Sequence, residues 1–545
     1  MAGLFGNLVQ ASKALVAHQT AITVTGRNLA NINNPEYARQ RAIIADRYVN
    51  QTPRGPEGTG VEVLEVQQMR DMFLDRQVVR QASDNGFLQA QYDAFSNAEL
   101  ALGDRIDRTT DPASITDAQL SPTGIGAALD RFFNDMSSLS TTPSDLAARN
   151  VALESARVLV DRINVANERL DALTADLEDQ IDGDLTEANT LLGDIARLNL
   201  EIRQADSVMS GGGADLIDKR QAKLEKLAEL VKFEATPEAQ SPGEVHLRIG
   251  GKDVVSYGML LGELSYLSGT GIRWTDGSGI PQTVTLTGGE AQGRYAAVSS
   301  GGVAIAQSRL QAMADALMTK VNAIYNAPAT VGADFFVDPL AGNPNSYDLI
   351  AVRSDLSAMN LSTGSTGNAG DNGFIKSIAG LRTTPVSISV VRNSSALSLA
   401  STMVQMEEVK GLSVGMTVSG TGIAANTTIS AINATAVPPT IKLSVAATAT
   451  NIGSNVLTFS QQSTLLDYTR SMVTEIASYT QGANTRLEEA KVLETALRTQ
   501  RDSVSAVSLD EETADLLRYQ KAYQANAKVI SVIDDMLSSI ISMIR

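Results

Sequence analysis

The sequence contains no cysteine, and aromatic residues make up only 4 % of its 545 positions, with Trp274 as the one tryptophan. The absence of cysteine excludes disulfide frameworks and thiolate metal sites. It also suits a protein that passes unfolded through an export channel and folds outside the cell. A chain with so few aromatic side chains is expected to build thin helical layers and small β modules rather than one large core.

Basic residues are in deficit, and long apolar runs are missing. The formal charge is −17, from 61 acidic and 44 basic residues, which argues against nucleic acid as a main partner. No run of about 18 apolar residues occurs, so we expect no membrane insertion. Polar residues such as Asn7 and Lys13 interrupt any apolar segment near the first residue. If the protein leaves the cell, we therefore expect it to do so without a cleaved signal peptide.

Motifs for catalysis or cofactor binding are also missing. The two histidines, His18 and His246, do not form a zinc-binding His-Glu-x-x-His motif, and there is no Walker loop. The segment 420–422 weakly imitates a dinucleotide-binding loop, but no predicted helix follows it. The acidic segment 510–512 could be a metal-binding cluster, although capping of a helix explains it more simply. The sequence predicts neither an enzyme nor a cofactor.

Both ends of the chain carry an apolar residue at every seventh position. At the C-terminal end these residues are Leu509, Leu516, Tyr523, Ile530, Leu537 and Ile544. At the N-terminal end they are Leu8, Leu15, Ile22 and Leu29. This spacing is typical of the apolar seam along which coiled-coil helices pack. We call these ten residues the assembly seam, and we predict that the two helices pair with each other or with other molecules.

The alternative interpretation of this spacing is that the two terminal segments are surface helices packed on an ordinary core. It is less favoured because the seam lies at the extreme ends of the chain, where chains usually fray. For the C-terminal helix, Ser508 is expected to act as N-cap, with Glu511 reaching back in a capping box.

A second pattern adjoins each terminal helix. The N-terminal pattern consists of Asn28, Ala30, Asn31, Tyr37, Arg39 and Gln40, and the C-terminal pattern of Tyr519, Gln520, Tyr523 and Asn526. These paired signatures resemble those of the rod, hook and hook-associated proteins of the bacterial flagellum. One departure is Glu36, where that family usually has glycine, a residue that permits positive φ.

Helical spacing between residues 84 and 231, with a break near Gly183, predicts a bundle of long helices. Rod and hook proteins generally lack such a bundle. The segments 143–149 and 216–221 resemble corresponding segments of the hook-associated protein 1 family. We therefore identify the chain as a suspected member of that branch of the flagellar axial proteins.

The predicted fold class is multidomain α + β, with an α-helical coiled coil formed by both termini, a long-helix bundle, and outer mainly-β domains formed by insertion. We predict four parts. They are a terminal coiled-coil domain (1–45 with 507–545), a helical bundle (46–235 with 300–328 and 465–506), an outer β domain (236–299 with 329–396), and an inserted small β module (397–464).

The resemblance implies a structural subunit that connects hook to filament through coiled-coil assembly of its termini. It implies export by the flagellar type III apparatus and an extracellular location in the flagellum. The implied partners are further copies in a ring-like layer, the hook protein, the second hook-associated junction protein, and an export chaperone at the C-terminus. The alternatives left open are another axial protein such as the hook, a secreted surface adhesin, and a hydrolase in the outer domain.

Overall fold

The computed structural model divides into two compact units. It describes residues 2–46, 49–52, 55–58, 60–103, 124–208, 213–238, 243–326, 334–339, 348–366, 368, 370–433, 436 and 438–544. The first unit comprises Met1–Phe87, Asp182–Gln292 and Leu487–Arg545, and the second comprises Leu88–Ile181 and Gly293–Arg486. Because both units are assembled from distant segments, contacts far apart in sequence define each of them.

Long helices dominate the described residues. They are α1 (Ala2–Ala30), α2 (Met72–Ala101), α3 (Ile125–Thr141), α4 (Leu146–Val208), α5 (Ala214–Leu230), α6 (Glu290–Ser299), α7 (Gly302–Tyr325), α8 (Gly373–Gly380), α9 (Leu465–Ser505) and α10 (Leu509–Ile544). Together with the β segments they confirm the predicted multidomain α + β class. No helix among the described residues is both long and apolar enough to cross a membrane.

The strands of the described residues form small antiparallel sheets. They are β1 (Gln40–Asp46), β2 (Val49–Thr52), β3 (Gly55–Gly58), β4 (Val61–Gln68), β5 (Glu234–Pro237), β6 (Val245–Ile249), β7 (Lys252–Ser256), β8 (Met259–Leu260), β9 (Gly262–Leu267), β10 (Gly271–Asp276), β11 (Pro281–Thr283), β12 (Phe336–Val337), β13 (Ala351–Val352), β14 (Val386–Leu397), β15 (Met403–Met406), β16 (Thr417–Gly420), β17 (Thr427–Asn433), β18 (Thr440–Leu443) and β19 (Asn451–Ser463). In the first unit, β1 pairs with β4, β2 with β3, β5–β8 form a four-stranded sheet, and β9–β11 a three-stranded sheet.

Helix α4 is continuous, so the break predicted near Gly183 is wrong. Ile181 and Leu185 are both buried on either side of Gly183, and they keep the apolar face of the helix in register. Gly183 itself is exposed, and a Cβ there would meet nothing within 4 Å. An exposed glycine inside a helix costs only about 1 kcal/mol, which the packing of the buried face outweighs.

The core of the second unit contains a group of aromatic side chains, Phe132, Tyr325, Phe335 and Phe336, all fully buried. The ring centroids of Phe335 and Phe336 lie 4.8 Å apart in an edge-to-face arrangement, and Phe132 lies 6.1 Å from Phe336. Edge-to-face pairs contribute roughly 0.5–1.5 kcal/mol beyond the area they bury. A low aromatic content therefore still supplies one well-packed core.

Strands β14–β19 close into a six-stranded barrel in the order β14-β15-β18-β17-β16-β19. Its first strand begins at Val386, so the predicted module boundary at residue 397 lies at the end of that strand; the four-part domain division remains a prediction. Arg392 of the barrel donates a hydrogen bond of 2.5 Å from Nη2 to Ser308 Oγ of α7. Gly411, with φ +72°, lies against the same serine, where a Cβ would collide. These contacts fix the barrel on the helix.

Tyr468 provides a test of packing in the second unit. Its side chain is fully buried, and its hydroxyl has no hydrogen-bond partner among the residues that the structure describes. Burial raises the pKa of Tyr468 to about 12, against the opposing charge of Arg309, whose guanidinium lies 5.7 Å from the ring centroid. Because the pKa in the folded state exceeds the ordinary value near 10, the unfolded state loses the proton first as the pH rises.

We therefore expect the wild type to lose up to about 3 kcal/mol of stability between pH 10 and pH 12 relative to a Tyr468→Phe variant. Urea unfolding of both proteins at several alkaline pH values measures this difference. Tyr92→Phe, at a half-buried position, serves as the control and should follow the wild type. Parallel curves for wild type and Tyr468→Phe would contradict the assignment.

Candidate functional site

Helices α1 and α10, from opposite ends of the chain, pack side by side in the first unit, and α1 also packs on the β1–β4 hairpin. The face that α1 buries is made mostly of small side chains: Ala17 and Ala21 are 1 % and 2 % exposed. Ala21 and Val24 form a core with Ala42 of β1, and Tyr519 of α10 packs against it. Small side chains at this contact let the helix backbones approach closely.

The assembly seam is only partly covered within the single chain. Its half-buried members are Leu8, Leu15, Ile22, Leu29, Leu516, Tyr523, Ile530 and Leu537. Leu509 is 56 % exposed, and the side chain of Ile544 lies outside the described residues. The seam therefore follows the edge of the α1–α10 contact, with the alanine face of α1 at its centre. Whether these residues act in assembly remains a prediction.

Further apolar side chains of the two helices face solvent. Val9 and Val16 of α1, seven residues apart, are 54 % and 58 % exposed. On α10, Val529, Val532 and Met536 follow helical spacing and are each more than 40 % exposed. We call these five residues the outer stripe. Exposed apolar side chains at helical spacing form a surface that a partner could cover.

The family signature forms a buried polar cluster where α1 ends and α10 begins. Asn28 Nδ2 donates to the carbonyl oxygen of Gln40 and to Glu512 Oε2, both at 2.9 Å. Asn28 Oδ1 accepts hydrogen bonds from the Tyr37 hydroxyl at 2.9 Å and from the Gln40 amide at 3.0 Å. One 1 %-exposed asparagine thereby holds the turn after α1 and the first turn of α10.

Arg39 completes this connection. Its Nε donates to Glu512 Oε1 and its Nη1 to Glu511 Oε2, both at 2.6 Å. Burial opposes the charge of Arg39, but the hydrogen bonds and charges of the two carboxylates outweigh it and raise its pKa. We call Asn28, Tyr37, Arg39, Glu511 and Glu512 the polar clasp, because it joins residues more than 470 positions apart.

The predicted capping box at Ser508 is wrong. The carboxylate of Glu511 binds Arg39 instead of reaching back to the helix start. The first-turn acids still lie at the positive end of α10, where they favour the helix dipole. An ion pair with a distant arginine is not visible in local spacing, so the two glutamates were missed as members of the signature.

A second group of polar and charged side chains, two of them from α5, lies next to the clasp. Gln40 Nε2 donates to Asp215 Oδ1 at 2.8 Å. Arg70 binds Asp218 at 2.6 Å and Asp75 at 3.1 Å, and all three are largely buried. Burial raises the pKa of Asp218 although the charge of Arg70 opposes this. Burial and the charges of Asp215 and Asp218 also raise the pKa of the Tyr37 phenol well above its usual range, so Tyr37 stays a hydrogen-bond donor.

The other signature residues have local roles. Asn31 and Asn526 each donate a side-chain hydrogen bond to the carbonyl oxygen four residues earlier in their own segments. The centroid of the Tyr519 ring lies 6.4 Å from that of the His18 ring. The Arg518 guanidinium lies 5.0 Å from the centroid of the Tyr519 ring. Ala30 and Gln520 are exposed, and Tyr523 belongs to the half-buried seam.

The chemistry of this site is that of a structural joint. Its carboxylates are engaged by arginine and asparagine, and its phenol is a donor held by Asn28. Among the described residues, no group of three or more His, Asp or Glu side chains is arranged to hold a metal ion. The clasp joins the turn after α1 to the first turn of α10 and so holds the two helices together at this end.

The chain is similar to several known flagellar proteins. A family model described as the helical domain of the flagellar hook-associated protein FlgK matches residues 117–336. A second model, described as the C-terminal region of the flagellar basal body rod FlgEFG proteins, matches residues 498–543. A solved structure of the flagellar hook junction protein FlgK from Burkholderia pseudomallei is 16 % identical, covers 79 % of this chain and 100 % of that one, and has a TM-score of 0.48.

Curated relatives align over nearly the full chain. The flagellar hook-associated protein 1 of Bacillus subtilis is 24 % identical over 570 residues, covering 99 % of both chains. The protein of the same name from Salmonella typhimurium is 23 % identical, covering 98 % of this chain and 99 % of that one. The Escherichia coli protein is 22 % identical and covers all of both. Over nearly its full length the chain is thus similar to proteins named flagellar hook-associated protein 1.

Proposed function

We propose that this protein is a structural subunit of the bacterial flagellum at the hook–filament junction. It connects hook to filament through coiled-coil assembly of its terminal helices. The observation that carries the proposal is the outer stripe, a set of exposed apolar side chains on two helices that the polar clasp joins where α1 ends and α10 begins. The relatives named hook-associated protein 1 align with both terminal helices, which supports the same role.

The outer stripe supplies the driving force for assembly. Burying a valine or methionine side chain stabilises a contact by roughly 1.5–3 kcal/mol. Copies that join head to tail through two different surfaces form a ring when the rotation between neighbours closes, and a closed array of this kind is the ring-like layer. The hook protein lies on one side of this layer and the second hook-associated junction protein on the other.

The remaining parts of the proposal concern export and architecture. The protein leaves the cell through the flagellar type III apparatus without a cleaved signal peptide and resides in the extracellular flagellum. An export chaperone binds the C-terminal helix first and covers its apolar face until assembly. The four predicted parts then act as a terminal coiled coil, a connecting helical bundle and two outward β regions, with no catalytic role for any of them.

Removal of the segment 509–545 tests the proposal. Cells whose only copy lacks it should keep their hooks but shed filament protein into the medium and lose swimming motility, because α1 has lost its partner helix. Electron microscopy of hooks, an immunoblot of the medium and a swimming assay measure these three effects. The control is Val414→Ser in a barrel loop, where the side chain is 62 % exposed; it leaves the terminal helices intact and should leave filaments attached.

Other outcomes of the same experiment have distinct meanings. Loss of the hooks themselves would identify the chain as a hook protein. Filaments that stay attached without the segment 509–545 would contradict the junction role and leave a surface adhesin as the alternative.

A further inference from the structure

One end of the barrel is free of chain connections. Val386 pairs with Ser463 where the chain enters and leaves the barrel, and Leu397 pairs with Asn451 at the opposite end. The loops at this opposite end comprise residues 398–402, 421–426 and 444–450. We call these three loops together with Met403 the barrel tip.

The barrel tip exposes apolar side chains without local charge. Leu399 is 61 % exposed, Met403 47 % and Val445 44 %. Two of the loops are hydrogen-bonded to each other, since the Ala400 amide donates to the Ala447 carbonyl at 2.9 Å. None of the three loops contains a charged residue. The nearest cation is Lys442, which lies opposite Met403 in the β15–β18 pair.

The backbone of the barrel tip is held in a defined conformation. Ala400 has φ +61°, a left-handed conformation that is uncommon for a residue with a Cβ. Hydrogen bonds keep it there: the Ala447 amide donates to the Ser401 carbonyl, and the Ser401 amide to the Ser398 carbonyl. Backbone strain that the surrounding structure maintains is a feature of binding sites. The turn presents Leu399 in advance of binding, which lowers the entropy cost of a contact.

Charge indicates which partner this surface fits. The barrel, residues 386–463, carries only five charged side chains, three basic and two acidic, whereas the whole chain has a formal charge of −17. The negative excess therefore lies entirely outside the barrel. Two copies of an acidic chain repel each other, so a surface that is uncharged, apolar and bordered by a lysine is the part best able to approach another copy.

We propose that the barrel tip docks on an acidic surface outside the barrel of a neighbouring copy of this chain. This inference rests on the proposed function, which places copies side by side in a ring. The contact is heterologous, because a tip-to-tip contact would be two-fold symmetric and would pair subunits instead of extending around a ring. The small apolar area of the barrel tip makes the contact weak in solution, and the assembled ring strengthens it through high local concentration.

The absence of cysteine allows a direct test. Cells carry Ser398→Cys as their only copy, the hook–filament junctions are isolated, and the thiol is labelled with a maleimide–benzophenone photo-cross-linker. After illumination we expect a ladder of dimers and higher multimers on a denaturing gel, with cross-linked peptides from outside the barrel. Val414→Cys is the control, because Val414 is 62 % exposed in a loop on the α7 side of the barrel. It should give little cross-linked product.

Second-site variants separate docking from chance proximity. In the Ser398→Cys background, Leu399→Ser should lower the yield by about ten-fold, while Val414→Ser, with matched exposure, should not change it. Lys442→Glu should also lower it, by adding a like charge. Two outcomes would overturn the docking inference and leave the proposed function standing. In the first, the labelled chain is present in isolated junctions but gives no more cross-linked product than the Val414→Cys control. In the second, dimers form only between barrel tips. Absence of the chain from junctions would overturn the proposed function and the docking with it.

Discussion

Replacing Glu512 with alanine should destabilise the α1–α10 pair by roughly 3 kcal/mol, because it removes the acceptor of a buried amide and of a partly buried guanidinium. Glu512 is 2 % exposed, and its two carboxylate oxygens accept from Arg39 and Asn28. Without it, the guanidinium of Arg39 loses its buried counter-charge and the Asn28 amide loses an acceptor. Hydrogen-exchange protection of amides in α1 and the first turns of α10 should fall by at least about 100-fold.

The neighbouring glutamate provides a matched control for this result. Glu511 binds the same arginine at the same 2.6 Å distance, but its side chain is 64 % exposed. Exposed ion pairs contribute only about 0–1 kcal/mol, so Glu511→Ala should change protection little. Equal effects of the two substitutions would show that burial of the clasp does not determine the strength of the helix pair.

A triple substitution of Val529, Val532 and Met536 to serine should abolish filament attachment without unfolding the subunit. These side chains are between 42 % and 47 % exposed in the single chain, so the fold depends little on them. In an assembled ring each would be buried, and losing three such contacts should weaken subunit association by more than about 100-fold. Filament shedding and swimming measure assembly, and circular dichroism of the purified variant measures the fold.

A second face of α10 supplies the comparison. Gln524, Ser531 and Ser538 are exposed and lie roughly 110° or more around the helix from the mean direction of Val529, Val532 and Met536, at 100° per residue. Their triple substitution to alanine should leave filaments attached. If the serine and alanine variants shed filaments equally, any change to α10 would disturb assembly and the outer stripe would have no special role. If neither sheds filaments, the outer stripe is not an assembly surface.

The features readable from the sequence are those encoded by local patterns. A period of seven places apolar residues along one side of a helix whatever lies nearby, so α1 and α10 and their mutual packing follow from Leu8 to Leu29 and Leu509 to Leu537. The signature around Asn28 and Arg39 is likewise a local pattern, and it carries the resemblance to the flagellar axial proteins.

The tertiary structure decided what depends on pairing between distant residues. In the sequence, Glu511 and Glu512 are typical of acidic residues that cap a helix. They belong to the clasp because, in the folded chain, Arg39 from the other end of the sequence forms ion pairs with both. A glycine such as Gly183 predicts a helix break from sequence. In the structure α4 continues through it, with Ile181 and Leu185 buried on either side. Barrel closure joins Ala400 to Ala447 by a backbone hydrogen bond, a contact that no local period reveals. Sequence patterns determine elements and their apolar faces, whereas burial of charge and closure of sheets depend on contacts that form only in the folded chain.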